Sequence, residues 1–301
     1  MVGFLFAGQG SQYAGMGKDL YENFPESRLI FDKAEEALGF DLKQLCFEAS
    51  EEELKVTRIS QPAIVAVSIA AFSAFRLRNN ITPAYMAGLS LGEYSALIAS
   101  GSIAFEDGIR LIKRRGELMD EAAKKYPGKM AVVLGLTVDR VKEICLASLA
   151  EIANLNCPGQ IVISGNIPAI DKAVALCVEA GAKRVIPLEV SGAFHSSLML
   201  EASVGLKEAL DKTLITKPFV PVVCNYTALP QLDALGIKEN LVHQVSSPVR
   251  WEDSMKFILS KNVTTFFEFG PGKVLKGLLR SIDANAQVVN IEKQADILAL
   301  Q

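Results

Sequence analysis

Tyr85-Met86-Ala87-Gly88-Leu89-Ser90-Leu91-Gly92-Glu93 is the stretch that decides the fold. Its apolar start predicts a short buried strand, and the run 93–100 predicts a helix. Between them a serine stands between two glycines, the pattern of a nucleophile elbow on a sharp strand-to-helix turn. Glycine suits both flanks because a β-carbon would crowd so tight a turn. The turn would lift the Ser90 hydroxyl clear of the backbone and aim the Leu91 amide at an oxyanion forming on attack. The plainer reading is a glycine-rich turn with Ser90 as a helix N-cap. The strand before it and the helix after it favour the nucleophile.

Outward from this turn, short apolar strands alternate with helical patterns at both ends of the chain. That predicts βαβ units and a mostly parallel sheet, an α/β fold. Strands are expected at 3–7, 85–87, 221–224 and 265–268. The middle reads as strand 129–136, helix 138–149, strands 151–155 and 160–164, helix 167–180 and strand 184–188. That βαββαβ order is ferredoxin-like. Residues 128–191 are therefore expected as an inserted small domain, with 1–127 and 192–301 forming the larger α/β core. The longest apolar run, 62–75, predicts a buried helix too short to span a bilayer, with Ser60 as N-cap and Pro62 in its first turn.

The 301 residues are 50% apolar and 22% charged, with a net charge of -3. This balance suits a soluble protein with a sizeable core and gives no global reason to expect nucleic acid or an anionic membrane as partner. The five cysteines, Cys46, Cys145, Cys157, Cys177 and Cys224, are scattered without the spacing of a metal knuckle or redox pair. They read as buried free thiols in a reducing compartment. The start of the chain reads as a first strand rather than a signal peptide, so a cytoplasmic location is expected.

A serine nucleophile needs a base, and the chain has two histidines. His195 lies in a small-residue loop, Ser191-Gly192-Ala193-Phe194-His195-Ser196, where catalytic groups tend to be presented. His243 falls in an expected helix and reads as an ordinary surface or core histidine. A third, orienting carboxylate stays possible. Gly8-Gln9-Gly10-Ser11-Gln12 follows the first strand but fails the dinucleotide fingerprint, because Tyr13 stands where the third glycine is needed. Gly270-Pro271-Gly272-Lys273 is likewise no phosphate loop. Gln9 is better used as an amide beside the active-site serine, and both loops could be ordinary turns.

Arg115 is the informative charge. On the expected helix 105–125 it flanks an apolar face made by Phe105, Ile109, Ile112, Gly116, Met119 and Ala123, while Lys113, Arg114, Glu117 and Asp120 take the other side. A buried-flank arginine needs an anionic partner, either a structural Asp or Glu or a substrate carboxylate.

Together these residues resemble malonyl-CoA:acyl carrier protein transacylases, including the free-standing acyltransferases of polyketide synthases. The resemblance runs over nearly the whole chain. It is carried by Phe6-Ala7-Gly8-Gln9-Gly10-Ser11-Gln12, Ser60-Gln61-Pro62-Ala63, the Ser90 elbow, Arg115-Gly116 and Asn154-Leu155-Asn156-Cys157-Pro158-Gly159-Gln160. Gly192-Ala193-Phe194-His195-Ser196, Gln244 with Ser247-Pro248-Val249-Arg250-Trp251, and Gly270-Pro271-Gly272-Lys273-Val274-Leu275 complete it. It implies a hydrolase-like α/β core with a ferredoxin-like insertion and a Ser90–His195 dyad oriented by main-chain oxygen near Gln244. It further implies Gln9 and the Leu91 amide at the oxyanion and Arg115 on the malonyl carboxylate. Phe194 beside the base looks like the malonyl-selective form. Leu89 stands where histidine is common and Ala7 where proline is common; neither touches the dyad.

The resemblance implies malonyl-CoA as substrate, no bound cofactor or metal, and an acyl carrier protein as partner of a monomeric enzyme. Carrier proteins are acidic, and Lys273, Lys276 and Arg280 recur at helical spacing, either a docking patch or a solvated face. Three rival readings share these features: an acyl hydrolase of the same fold, a non-catalytic subunit of a synthase complex, and a related transferase working with the acyl carrier of a malonate decarboxylase. Arg115 argues against the first, and retention of Ser90, His195 and Arg115 against the second.

Overall fold

A computed structural model describes residues 1–300. The chain opens with β1 (Val2–Phe6), followed by α1 (Lys18–Asn23), α2 (Pro25–Leu38), α3 (Leu42–Glu48), α4 (Glu51–Leu54) and α5 (Thr57–Arg78). Then come β2 (Tyr85–Gly88), α6 (Leu91–Ala99) and α7 (Phe105–Lys125). The middle runs β3 (Gly128–Leu134), α8 (Val138–Ser148), β4 (Glu151–Cys157), β5 (Gln160–Asn166), α9 (Ile167–Glu179) and β6 (Arg184–Pro187). After a 3-10 turn at Ser197–Met199 follow α10 (Leu200–Lys212), α11 (Ala234–Ser246) and α12 (Trp251–Ser260). The chain closes with β7 (Thr265–Phe269), α13 (Val274–Ile282), β8 (Gln287–Ile291) and α14 (Gln294–Leu298).

Two four-stranded sheets result. The first is parallel, in the order β2-β1-β7-β8. Its central strand β1 and neighbouring β2 read as continuous apolar runs because both faces are covered by helices. Phe4 and Phe6 of β1 meet Phe72 and Phe75 of α5 and Phe267 and Phe269 of β7. Phe4 and Phe269 meet edge to face at 5.0 Å, the arrangement that ring quadrupoles favour. The second sheet is antiparallel, in the order β4-β5-β3-β6. Period-two alternation gives β3 two buried faces. Ala131 and Val133 pack with Ile170 and Ala173 of α9, while Met130 and Val132 line a cleft. Ala153 and Leu155 of β4 exchange main-chain hydrogen bonds with Val249, which ties this sheet to the segment entering α12.

Three expectations need correction. The stretch 221–224 is not a regular strand. Pro221 has no N–H, and Val223, after one bridge region to Met86, turns to pair with Pro230. Its use is to deliver Asn225 beside Gly88. Second, Ser60 is not the N-cap of α5. The capping box of Ser50 and Glu53 starts α4 just ahead, and extended Val56 is the N-cap of a helix that begins at Thr57. Ser60 and Pro62 therefore lie inside α5. By length and composition this helix could cross a membrane, yet 83% of its apolar window is buried within the protein. It is apolar all round because it is enclosed all round. Third, Asp120 is buried, accepting from the Arg58 amide and the Ser191 hydroxyl. β8 was not anticipated; Gln287 and Asn290 interrupt its apolar pattern.

Candidate active site

The elbow starts from steric necessity. A β-carbon on Gly88 would stand 2.0 Å from the Gly92 carbonyl carbon, and one on Gly92 would stand 2.1 Å from the Phe6 oxygen. Neither site has room for a side chain, so β1, β2 and the start of α6 pack directly, backbone on backbone. Ser90 takes φ 52°, ψ −98°, and His195 also has positive φ, 57°. Left-handed backbone at a residue other than glycine costs about 1–3 kcal/mol and persists only where its surroundings enforce it.

Ser90 Oγ lies 2.8 Å from His195 Nε2, and His195 Nδ1 lies 2.8 Å from the Gln244 main-chain oxygen. A carbonyl can only accept, so Nδ1 carries the proton and Nε2 presents its lone pair to the serine hydroxyl. The geometry needs no orienting carboxylate. Arg115, 1% exposed, reaches the same hydroxyl. Its guanidinium donates to Ser90 Oγ at 3.1 Å, to Gln61 Oε1 at 2.8 Å and to Gln244 Oε1 at 3.3 Å. It stands over the Tyr94 ring. All three acceptors are neutral, and among the described residues Arg115 forms no ion pair with a carboxylate.

Ser90 and His195 open onto a cleft of about 330 Å³. Gln9 and Leu89 line it from the loops after β1 and β2, Met130, Val132 and Val162 from the antiparallel sheet, and Phe194 beside the histidine. Gln9 accepts from Gln61 Nε2 at 3.4 Å. Leu91 opens α6, and no protein acceptor among the described residues takes its amide, as expected at a helix N-terminus. His243 lies apart, exposed and stacked on Tyr226. Lys273, Lys276 and Arg280 are exposed on α13 and its lead-in, whose Val274 and Leu278 line the cleft.

A family model described as an acyl transferase domain matches residues 3–293. The chain is 45% identical, over its full length and 96% of the relative, to the malonyl CoA-acyl carrier protein transacylase of Bacillus subtilis (strain 168). This chain belongs to the acyl transferase family, among the malonyl CoA-acyl carrier protein transacylases. The crystal structure of an acyl-carrier-protein-S-malonyltransferase from Bartonella henselae superposes with a TM-score of 0.96 at 40% identity, covering 99% of this chain and 98% of that one. A malonyl-transacylase in complex with a type II PKS acyl-carrier protein superposes with a TM-score of 0.95 at 38% identity, over 99% and 98% of the two chains.

Around the acyltransferase centre, burial dominates the electrostatics. Desolvation, helped by the charge of Arg115, holds the His195 imidazole down to about 4. It stays neutral at ordinary pH, the form in which an imidazole can accept a proton. Burial likewise pushes the Tyr94 phenol up to about 12 and lowers the affinity of Arg115 for its proton.

Three residues that sequence reasoning gave no role complete the candidate site. Asn225 accepts from the Ser90 amide at 2.5 Å and donates to the Gly88 oxygen at 2.8 Å, clamping both sides of the elbow. Glu93, fully buried, accepts from the Asn225 amide, Gln244 Nε2 and Gln231 Nε2. Gln61 links Arg115 to Gln9. The one sequence signal for any of them was Glu93, an acid in the first turn of an otherwise apolar helix.

Proposed function

We propose that this acyltransferase moves the malonyl group of malonyl-CoA through an ester on Ser90 to the phosphopantetheine thiol of an acyl carrier protein, for fatty acid or polyketide synthesis. His195 Nε2 takes the Ser90 proton as Oγ attacks the thioester carbon. The oxyanion is met by the Leu91 amide and Gln9. As the C–S bond breaks, His195 returns the proton to the departing coenzyme A thiolate. The carrier's thiol then gives its proton to His195, attacks the ester and displaces Ser90, which recovers a proton. Atoms balance over this ping-pong cycle, and its written steps call on no bound cofactor.

The observation that carries the reading is Arg115, a buried guanidinium beside the Ser90 hydroxyl whose protein acceptors are all neutral. A substrate carboxylate supplies the missing charge with a planar, two-pronged fit. An acyl hydrolase for plain chains has no use for such a clamp. Phe194, buried beside His195, narrows the space for branched acyl groups, and Gln244 holds both histidine and arginine.

In this reading residues 1–127 and 192–301 form the transfer core, and 128–191 an inserted ferredoxin-like domain that roofs the cleft. The enzyme works as a cytoplasmic monomer, and Lys273, Lys276 and Arg280 meet the acidic carrier at the cleft mouth. The test is incubation with malonyl-CoA and a carrier bearing phosphopantetheine, followed by mass measurement of the carrier. One malonyl added per carrier, with coenzyme A released, supports the proposal; free malonate with an unmodified carrier contradicts it.

A further inference from the structure

Glu93 lies one helical turn after Ser90, which places its carboxylate beneath the elbow. Three donors converge on it, two from the connection between α10 and α11 and one from α11 itself. Asn225 N and Gln244 Nε2 meet Oε2 at 3.0 and 2.7 Å, and Gln231 Nε2 meets Oε1 at 2.9 Å. Gln244 Nε2 also donates to the Ser90 main-chain oxygen at 3.0 Å. Two pure acceptors thus capture the Gln244 NH₂ group, which leaves Oε1 free to face the Arg115 guanidinium. Were the amide reversed, an NH₂ would face a guanidinium, donor against donor. The same Gln244 offers its main-chain oxygen to His195. Asn225, held through its amide by Glu93, grips the Ser90 amide and the Gly88 oxygen.

We infer that Glu93 is a positioning residue for acyl transfer, whose ionised carboxylate fixes Gln244 and Asn225 and thereby the mutual placement of Ser90, His195 and Arg115. The inference rests on the roles proposed above for those three residues. Glu93 also acts on Arg115 through space, favouring its charged form without forming an ion pair with it. The titratable groups facing it are Arg115 from α7, Cys224 from the segment before Asn225, and Tyr94 on its own helix. α11 presents neutral Gln244.

Protonation would undo the arrangement. It removes the charge that strengthens these hydrogen bonds and places a new donor among donors, which weakens the hold on Gln244 and Asn225. Burial pushes this carboxyl up to about 7, against the pull of the Asn225 and Gln244 hydrogen bonds. The ordered state is therefore present above that pH and lost as pH falls through it. His195, held at about 4, would by itself set a much lower acid limit.

The experiment is kcat/KM for coenzyme A release from malonyl-CoA, measured from about pH 5 to about pH 9. Wild type should lose activity on an acid limb near 7. Glu93→Gln should lower the plateau about ten- to a hundredfold and remove that limb, since no proton can then bind at this position. Glu93→Asp, which keeps the charge, should retain the limb and recover part of the rate. Gln231→Ala removes one donor from the ionised form, so its limb should move to higher pH. A rate loss in Glu93→Gln with an unmoved limb, or no loss at all, overturns the inference. Should Glu93→Gln fail to fold, an unmoved limb in Gln231→Ala overturns it equally. Failure of the underlying reading would look different: wild type would form no covalent malonyl-Ser90 at any pH.

Discussion

Arg115 and His195 share one ligand, the Ser90 hydroxyl: the guanidinium donates to it at 3.1 Å and the imidazole accepts from it at 2.8 Å. A cation and a neutral imidazole are thus held within reach of the same oxygen. The acid end of a malonyl group and its thioester carbon need that separation of tasks.

The first prediction follows from that placement. Arg115→Ala should lower kcat/KM for malonyl-CoA by about ten- to a hundredfold, since a charge-assisted pair contributes roughly 1.5–3 kcal/mol. Acetyl-CoA has no carboxylate to hold, so its transfer should be unchanged or improved. Lysine should recover only part, because it replaces a planar fork by a point charge. Equal losses for both substrates would make Arg115 a structural residue.

A second prediction concerns the elbow's packing. Gly88→Ala puts a methyl 2.0 Å from the Gly92 backbone, and no flexible side chain is there to yield. It should cost at least about 1–3 kcal/mol and show as a lower Tm or loss of soluble protein. Gly277→Ala, in α13 with open space around its β-carbon, should instead stabilise by about 0.5–1 kcal/mol, the helix-propensity gain. Parallel thermal unfolding of both variants checks the contrast.

The α13 surface supplies a third. Reversing Lys273 and Lys276 to Glu should raise KM for the carrier protein several-fold at low salt and spare KM for malonyl-CoA. Carrier kinetics indifferent to the reversal would remove this face from the docking surface.

Much of the fold was legible because periodicity is a local property. The Ser90 strand and helix, the amphipathic α7 and each element of the middle unit announced themselves by apolar spacing. Strand β8 did not, because Gln287 and Asn290 break its pattern and its pairing to β7 is distant in sequence. Ser60 misled because capping chemistry looks the same wherever a serine precedes a proline; the N-cap of α5 is extended Val56, which has no side-chain cap to signal it. In the site, Ser90, His195 and Arg115 stood out as residue types whose chemistry has few bland uses. Asn225, Gln231 and Gln61 did not. A carboxamide is common, and its role appears only when folding brings it to a partner distant in sequence: Asn225 to Ser90 across 135 residues, Gln231 to Glu93 across 138 and Gln61 to Arg115 across 54. Asn225 was further obscured by the irregular segment that delivers it.

The central claim is that Ser90 carries the malonyl group. Intact-mass measurement after brief exposure to malonyl-CoA, with no carrier present, tests it most directly. Wild type should gain the mass of one malonyl group, removed on adding a carrier thiol. Ser90→Ala, folded as judged by an unchanged Tm, should gain none. A malonyl adduct that persists in Ser90→Ala would contradict the account.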